Sequence, residues 1–217
     1  MKKIETHKKI LNSAIELISE KGYMKATTRE IAHRAGVTEL TMFRHFGSKE
    51  NLFKEILETD SLLPKLKKLI PELTGLSYID ALNAIGIRCI EMMKIRKPMI
   101  KIMLTEMNNY PDTVIKLHNN FTDELIKTLA GYFESLNKTG ELRDFNHELG
   151  AGAFLAIMFM YFREEEIIRE HDLKDLEIKE TIKGFVDLFV YGTINNNNNI
   201  VSENNPPNNP PLTPYCQ

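Results

Sequence analysis

Apolar residues recur every three or four positions along most of the chain, which is the spacing of one face of an amphipathic α-helix. The first such segment runs from about Thr6 to Lys21, and Gly22 follows it as a stop signal. Strand-like alternation between hairpin turns is missing from the sequence. The pattern therefore predicts an all-α fold of about nine helices.

Three short helices with clear start signals follow the first one. Thr27 and Glu30 have the spacing of a capping box, in which the Thr27 hydroxyl accepts from the amide of residue 30 and the carboxylate reaches back. Gly36 ends this helix, Thr38 can cap the next, and Ser48 can cap a third. Two short capped helices around a glycine-containing turn are typical of a helix-turn-helix, although any tight helical corner shares the pattern.

The later helices are longer. We expect them over residues 77–97, 98–107, 111–138 and 146–169, with a last helix that ends near residue 191. Pro98 disfavours helical backbone at the residue before it, so the first two of these are predicted as separate helices. From residue 195 onward the chain is rich in Asn and Pro and has few aliphatic residues. We therefore expect residues 195–217 to form a disordered tail.

The second helix of the helix-turn-helix pattern has two different faces. Met42, Phe46 and part of Phe43 are predicted to point inward. The outward positions are Glu39, Leu40, Thr41, Arg44 and His45. An exposed Leu40 beside Thr41 suits contact with thymine methyl groups, and Arg44 can reach a guanine or a phosphate. The alternative is that Leu40 packs against the following helix.

Two runs of sequence resemble the DNA-binding signature of TetR-like transcriptional regulators. They are TTREIAHRAGVT over residues 27–38 and FRHFGSKENLF over residues 43–53. The resemblance implies a helix-turn-helix DNA-binding domain over residues 1–50 and a helical effector-binding and dimerisation domain over residues 51–194. It implies a non-enzymatic repressor that binds a palindromic operator in double-stranded DNA as a homodimer and is released by a small hydrophobic ligand.

The same resemblance implies which residues contact DNA. The set is Thr27, Thr28, Thr38, Glu39, Leu40, Thr41, Phe43, Arg44, His45 and Lys49. Within it, Thr27, Thr28, His45 and Lys49 occupy phosphate-contact positions. Phe43 departs from the family, which commonly has Tyr there, so this chain lacks a hydroxyl that would donate to a phosphate.

A homodimer needs a self-complementary surface, and closed two-fold pairs are the commonest oligomers. The last two long helices offer apolar faces with small residues that permit close approach. The predicted interface consists of Leu149, Ala153, Ala156, Ile157, Met160, Ile182, Phe185 and Phe189. The alternative is that these faces belong to the core of a single subunit.

Methionines are frequent in the middle helices, and flexible thioether side chains can line adaptable apolar cavities. The predicted effector site consists of Met92, Met99, Met103, Met107, Phe121, Leu125, Met158 and Tyr161. His118 and Glu106 are the polar groups expected to meet a ligand. Each methionine could instead fill a gap in the core, so a DNA-binding dimer without a small-molecule effector is the alternative.

The charge is divided unevenly along the chain. The whole sequence has 28 basic and 30 acidic residues, which argues against a general polyanion binder. Residues 1–50, however, carry ten basic and six acidic residues, and the rest of the chain carries 18 and 24. A basic head on an acidic body is a hint of nucleic-acid contact at one end.

Other function classes have little support in the sequence. No stretch is long and apolar enough to span a membrane, and no secretory signal follows the N-terminus. Cys89 and Cys216 lack metal-ligand or redox spacing. We therefore expect a cytoplasmic protein with no cofactor, metal or membrane partner. The three glutamates at 164–166 lack the spacing of a helical metal site and are predicted to be a solvated face. A helical enzyme and a purely structural dimer are the weaker alternatives.

Overall fold

The computed structural model describes residues 2–59 and 61–194 of the chain. Within them lie ten α-helices: α1 (Lys2–Lys25), α2 (Thr28–Arg34), α3 (Glu39–Phe46), α4 (Lys49–Glu58), α5 (Leu62–Glu72), α6 (Tyr78–Ile95), α7 (Lys97–Glu106), α8 (Asp112–Lys138), α9 (His147–Phe162) and α10 (Asp175–Thr193). A 3-10 turn (Met107–Asn109) follows α7, and a π-helical turn (Arg163–Ile168) follows α9. The predicted all-α fold is confirmed. The predicted disordered tail at 195–217 lies outside the described residues, as does Cys216.

The predicted start signals of five helices are confirmed by hydrogen bonds. Thr27 makes both halves of the capping box, because its hydroxyl accepts from the Glu30 amide at 3.2 Å and its own amide donates to the Glu30 carboxylate at 3.1 Å. The caps of α3, α4, α6 and α9 each accept from the amide three residues further on; they are Thr38, Ser48, Ser77 and Asn146. Each bond satisfies a backbone donor that has no partner inside its helix.

Helix α5 was not expected from the sequence pattern, because two prolines interrupt it. Pro64 lies in the first turn, where a missing amide hydrogen removes no helical bond, and Pro71 lies in the last turn. Leu63 and Leu66 are buried on the inner face of this helix. Burial of its leucines therefore outweighs a composition that disfavours a helix.

Helix α1 loses its regular geometry near its end. Gly22 has a φ of +85°, in a region that favours glycine. The carboxylate of Glu106, at the end of α7, packs directly on this residue. A Cβ built on Gly22 would lie 1.7 Å from Glu106 Oε2. The ends of α1 and α7 thus meet in a close approach that depends on the absence of a side chain at position 22.

The apolar core forms two clusters. The head cluster joins α1–α4 to α7 and the start of α8, and its large members include Ile10, Ile18, Phe46, Leu52, Phe53, Met99, Met103 and Val114. The body cluster lies among α5, α6, α8, α9 and α10, and includes Leu82, Ile85, Leu129, Phe133, Phe154, Phe162 and Ile182. The head cluster extends past the domain boundary expected at residue 50. Helix α7 therefore packs as part of the head, although it comes much later in the chain.

A buried carboxylate joins α9 to the junction of α6 and α7. Glu166, in the π-helical turn, is only 2% exposed, which corrects the expectation that residues 164–166 form a solvated face. It accepts from Lys97 Nζ at 2.7 Å and from the Leu173 amide at 3.0 Å, and Lys94 Nζ lies 3.3 Å away. The three partners offset the cost of burying this charge.

We predict that Glu166→Gln lowers the free energy of unfolding by about 1–3 kcal/mol, because Lys94 and Lys97 lose a charged partner in a partly buried site. Urea unfolding followed by circular dichroism, at equal protein concentrations, measures the loss. Glu164→Gln is the matched control. Glu164 pairs with exposed Arg169 at 3.4 Å, so its loss should cost under about 0.5 kcal/mol. Equal losses in both variants would contradict the assignment.

The same network predicts a pH dependence. Burial acts to raise the pKa of Glu166, but hydrogen bonds from Lys97, the Leu173 amide and Lys94 together leave that pKa lowered. The ionised form is therefore favoured by folding. Its contribution to stability is present above the ordinary glutamate pKa of about 4.3 and is lost as the pH falls through the lowered value. The stability difference between wild type and Glu166→Gln should accordingly shrink in acid.

Candidate DNA-binding surface and apolar cavity

Helices α2 and α3 meet at a tight turn. Gly36, in the turn, has a φ of +69°, and the Val37 amide donates to the Ala32 carbonyl at 2.9 Å. Ala32 is buried at the crossing of the two helices. This geometry sets α3 across α2 in the arrangement of a helix-turn-helix.

Helix α3 buries Met42 and Phe46 in the head cluster and leaves its opposite face open. Leu40 is 60% exposed and Phe43 is 40% exposed. The alternative that Leu40 packs against the following helix is therefore wrong. These two apolar side chains lie one helical turn apart on the open face and are available to contact a partner.

The remaining predicted contact residues surround this open face. Thr38, Glu39 and Arg44 are exposed, and Thr41 and His45 are half-buried. The Thr28 hydroxyl donates to the Glu39 carboxylate, and the Thr38 and Thr41 hydroxyls lie 2.8 Å apart. Side chains from the starts of α2 and α3 are thus brought together on one surface.

The sequence predicts that Lys49 contacts a phosphate, but in the structure its side chain contacts the end of α1. Its ammonium donates to the Tyr23 carbonyl and lies 4.2 Å from the centre of the Tyr23 ring. Burial lowers the pKa of Lys49. The sequence pattern reveals a lysine at the start of α4, but it cannot reveal that the end of α1 supplies an inward partner. In this structure Lys49 ties α4 to α1.

An apolar cavity of about 500 Å³ lies among α6, α7, α8 and α9. Six of the eight predicted effector residues line it: Met92, Met99, Met103, Phe121, Leu125 and Met158. Cys89 also lines the cavity, and burial raises the pKa of its thiol to about 12. The volume lies within the range of pockets that hold small molecules.

Two predicted effector residues lie elsewhere. Met107 packs against the head cluster from the 3-10 turn. The Tyr161 hydroxyl donates to Thr181 Oγ1 at 3.3 Å, and its ring packs on Phe185, so it joins α9 to α10. Residue type predicts an apolar lining, but it does not predict which side of a helix faces the cavity. Of the two polar candidates, His118 lines the cavity, whereas Glu106 packs on Gly22.

The cavity and the DNA-binding head share side chains. Leu57 on α4 and Met99 and Met103 on α7 line the cavity and also belong to the head cluster. No sequence signal identifies Leu57 as a cavity residue, because its partners come from helices far along the chain. A molecule in the cavity would therefore contact the core of the head directly.

The predicted dimer residues divide into three groups. Leu149, Ala153, Ala156 and Met160 are exposed on α9. Ile182, by contrast, is fully buried against Gly86 of α6, so it belongs to the core and was wrongly assigned. Ile157, Phe185 and Phe189 are partly buried against the body cluster.

The outward face of α10 is formed by other residues. Leu188 is 75% exposed and Tyr191 is 83% exposed. The sequence pattern does not reveal these residues, because α10 is apolar along its inner face and also exposes Leu176, Leu188 and Tyr191. Together with α9, the outer side forms an open apolar surface.

Residues 2–59 and 61–194 offer neither a membrane-spanning helix nor a metal site. No helix in that part of the chain is both long and apolar enough to cross a membrane. No group of three or more His, Cys, Asp or Glu side chains there could hold a metal ion.

Comparisons with known proteins agree with this geometry. Residues 10–56 match the model of bacterial regulatory proteins of the tetR family, and residues 80–192 match the C-terminal domain of AefR-like transcriptional repressors. An uncharacterised HTH-type transcriptional regulator of Bacillus subtilis, YvkB, is 32% identical over 157 residues, which cover 72% of this chain and 81% of that protein.

Two solved structures have the same fold. A TetR-family regulator from Mesorhizobium loti superposes with a TM-score of 0.74 at 18% identity, covering 89% of this chain and 99% of that one. NalD of Pseudomonas aeruginosa, described as the secondary repressor of a multidrug efflux pump, gives a TM-score of 0.68 at 19% identity, with 88% and 98% covered.

Fold and surface together define a helix-turn-helix transcription regulator. The chain belongs to the TetR family, since one family model covers its N-terminal helices and another covers more than half of its length. Members of this family are not enzymes, which excludes the helical-enzyme alternative.

Proposed function

We propose that this protein is a homodimeric repressor that binds a palindromic operator through α3 and leaves it when a small hydrophobic molecule occupies the cavity. The observation that carries the proposal is the sharing of Leu57, Met99 and Met103 between the cavity and the head cluster. A ligand that repacks these side chains changes the position of the head. NalD, a secondary repressor of a multidrug efflux pump with a similar fold, supports the same type of regulator.

Recognition of the operator would follow from the open face of α3. Leu40 and Thr41 offer methyl groups to thymine, and Arg44 can donate two hydrogen bonds to a guanine. The Thr27 and Thr28 hydroxyls donate to Glu30 and Glu39 in the free protein and would turn to phosphates in the complex, where half-buried His45 would donate as well. A two-fold dimer would set two such helices in successive major grooves, about 34–36 Å apart.

Release of the operator requires that the ligand bind one conformation of the dimer better than another. In the operator-bound conformation the two heads fit successive grooves. Occupation of the cavity would favour a different packing of α7, and with it a different separation of the heads. The affinity for DNA then falls without any contact between ligand and DNA.

The proposal is tested by selecting bound sequences from random double-stranded DNA with the full chain at two salt concentrations. We expect a palindromic consensus whose binding weakens as the salt concentration rises. Hydrophobic compounds are then added to the complex, and release is followed by fluorescence anisotropy. Failure to enrich any sequence would contradict the DNA-binding proposal, and an operator complex indifferent to every hydrophobic compound would favour a regulator without an effector.

We predict that Arg44→Ala lowers the affinity for the selected operator about 5- to 100-fold and relaxes sequence preference at one base pair of each half-site. Arg88→Ala is the control, because Arg88 is an exposed arginine on α6 that pairs with Glu91 at 3.1 Å. Its loss should leave operator binding unchanged. Anisotropy titrations with the operator and with single-base variants measure both effects. A uniform loss on all sequences would instead assign Arg44 to a phosphate.

We predict that Leu188→Glu weakens the dimer by a factor of about 100 or more, because the two-fold axis would bury a carboxylate from each protomer. Sedimentation velocity over a range of concentrations measures the change. Ile4→Glu is the matched control, since Ile4 is a 67% exposed apolar residue on the head. A Leu188→Glu protein that remains as dimeric as this control would contradict the proposed interface.

A further inference from the structure

One hydroxyl group stands out in the apolar cavity. Ser61 is only 3% exposed and lines the cavity, and its Oγ has no hydrogen-bond partner among the described residues. A buried hydroxyl without a partner is costly, and alanine would fill the same space without that cost. The side chain therefore points to a partner that is a ligand.

Its place in the fold does not explain this serine. Ser61 is the N-cap residue of α5, yet it makes no capping hydrogen bond. The caps Thr27, Thr38, Ser48 and Ser77 all accept from the amide three residues on, but in α5 that residue is Pro64, which has no amide hydrogen. The Ser61 hydroxyl is thus freed from the usual role of a cap.

Two other polar side chains of the cavity donate to the backbone. Arg96 Nη2 donates to the Thr59 carbonyl at 2.9 Å, and the Thr122 hydroxyl donates to the His118 carbonyl at 3.1 Å. Burial lowers the pKa of His118, which keeps its imidazole neutral at neutral pH. No carboxylate lies among the described lining residues. A cationic head group would lose its hydration here and meet no carboxylate, and an anionic one would have to compete with the Thr59 carbonyl for Arg96.

We propose that the cavity binds an uncharged apolar molecule with a single hydroxyl or carbonyl group, and that Ser61 Oγ forms the hydrogen bond that orients it. This inference rests on the proposed role of the cavity as the effector site. The methionines, Phe121 and Leu125 would surround the apolar body of the molecule. Ser61 would select its polar end.

The test uses three compounds with the same ten-carbon chain and different head groups: 1-decanol, decanoate and decyltrimethylammonium. Each displaces the fluorescent hydrocarbon 1,6-diphenyl-1,3,5-hexatriene, which has no hydrogen-bonding group, from the full-length protein. We expect 1-decanol to bind most tightly. In Ser61→Ala its affinity should fall about three- to tenfold, whereas the affinity of the probe, which carries no hydroxyl or carbonyl group, stays unchanged.

Two controls separate this effect from a loss of folding. Ser13→Ala removes a buried hydroxyl from α1, outside the cavity, and should not alter decanol binding. In the absence of ligand, Ser61→Ala should melt at the same temperature as wild type or higher, because an unpaired buried hydroxyl has been removed.

The outcomes distinguish this inference from the proposed function. Tighter binding of decanoate or of the ammonium compound, or equal decanol binding in wild type and Ser61→Ala, would overturn the inference alone. A protein that binds its operator but neither the probe nor any of the three compounds would overturn the effector role as well.

Discussion

The apolar contact between α7 and α1 is the interaction on which the two parts of this molecule depend. Met99 and Met103 belong to the core of the head and also line the apolar cavity. Without that contact, the head would have a smaller core and the cavity would lose a wall. The same few side chains therefore stabilise the fold and connect the cavity with the core that lies beneath the DNA-binding surface.

An ion pair holds the start of α7, and an aromatic contact follows its end. Lys97 at its start is paired with buried Glu166, and the chain that follows its end brings Tyr110 against Tyr23, with ring centres 5.7 Å apart. The Tyr23 carbonyl in turn accepts from Lys49 at the start of α4. The end of α1 and the start of α4, on either side of the helix-turn-helix, are thus both tied to the helix that lines the cavity.

The features that could be predicted were those encoded locally. A cap and the amide it binds lie three residues apart, so Thr27, Thr38 and Ser48 identify helix starts without tertiary information. Features that depend on partners far along the chain could not be predicted, or were predicted with the wrong burial. The two prolines of α5 obscure a helix that burial of Leu63 and Leu66 stabilises, and the sequence pattern does not separate the outer face of α10 from its inner face. Glu166 looked solvated because its lysine partners lie about seventy residues earlier.

The close approach of Gly22 and Glu106 has a consequence for how sequences of this kind can change. A side chain at position 22 would need both a positive φ and the space now filled by a carboxylate. A positive φ in a residue other than glycine and a clash with the Glu106 carboxylate are each unfavourable. A shorter residue at position 106 would remove the clash. The two positions are 84 residues apart along the chain, yet the side chain tolerated at one depends on the other: any replacement of Gly22 would require the flexible Glu106 side chain to move away, and the positive φ would disfavour it even then.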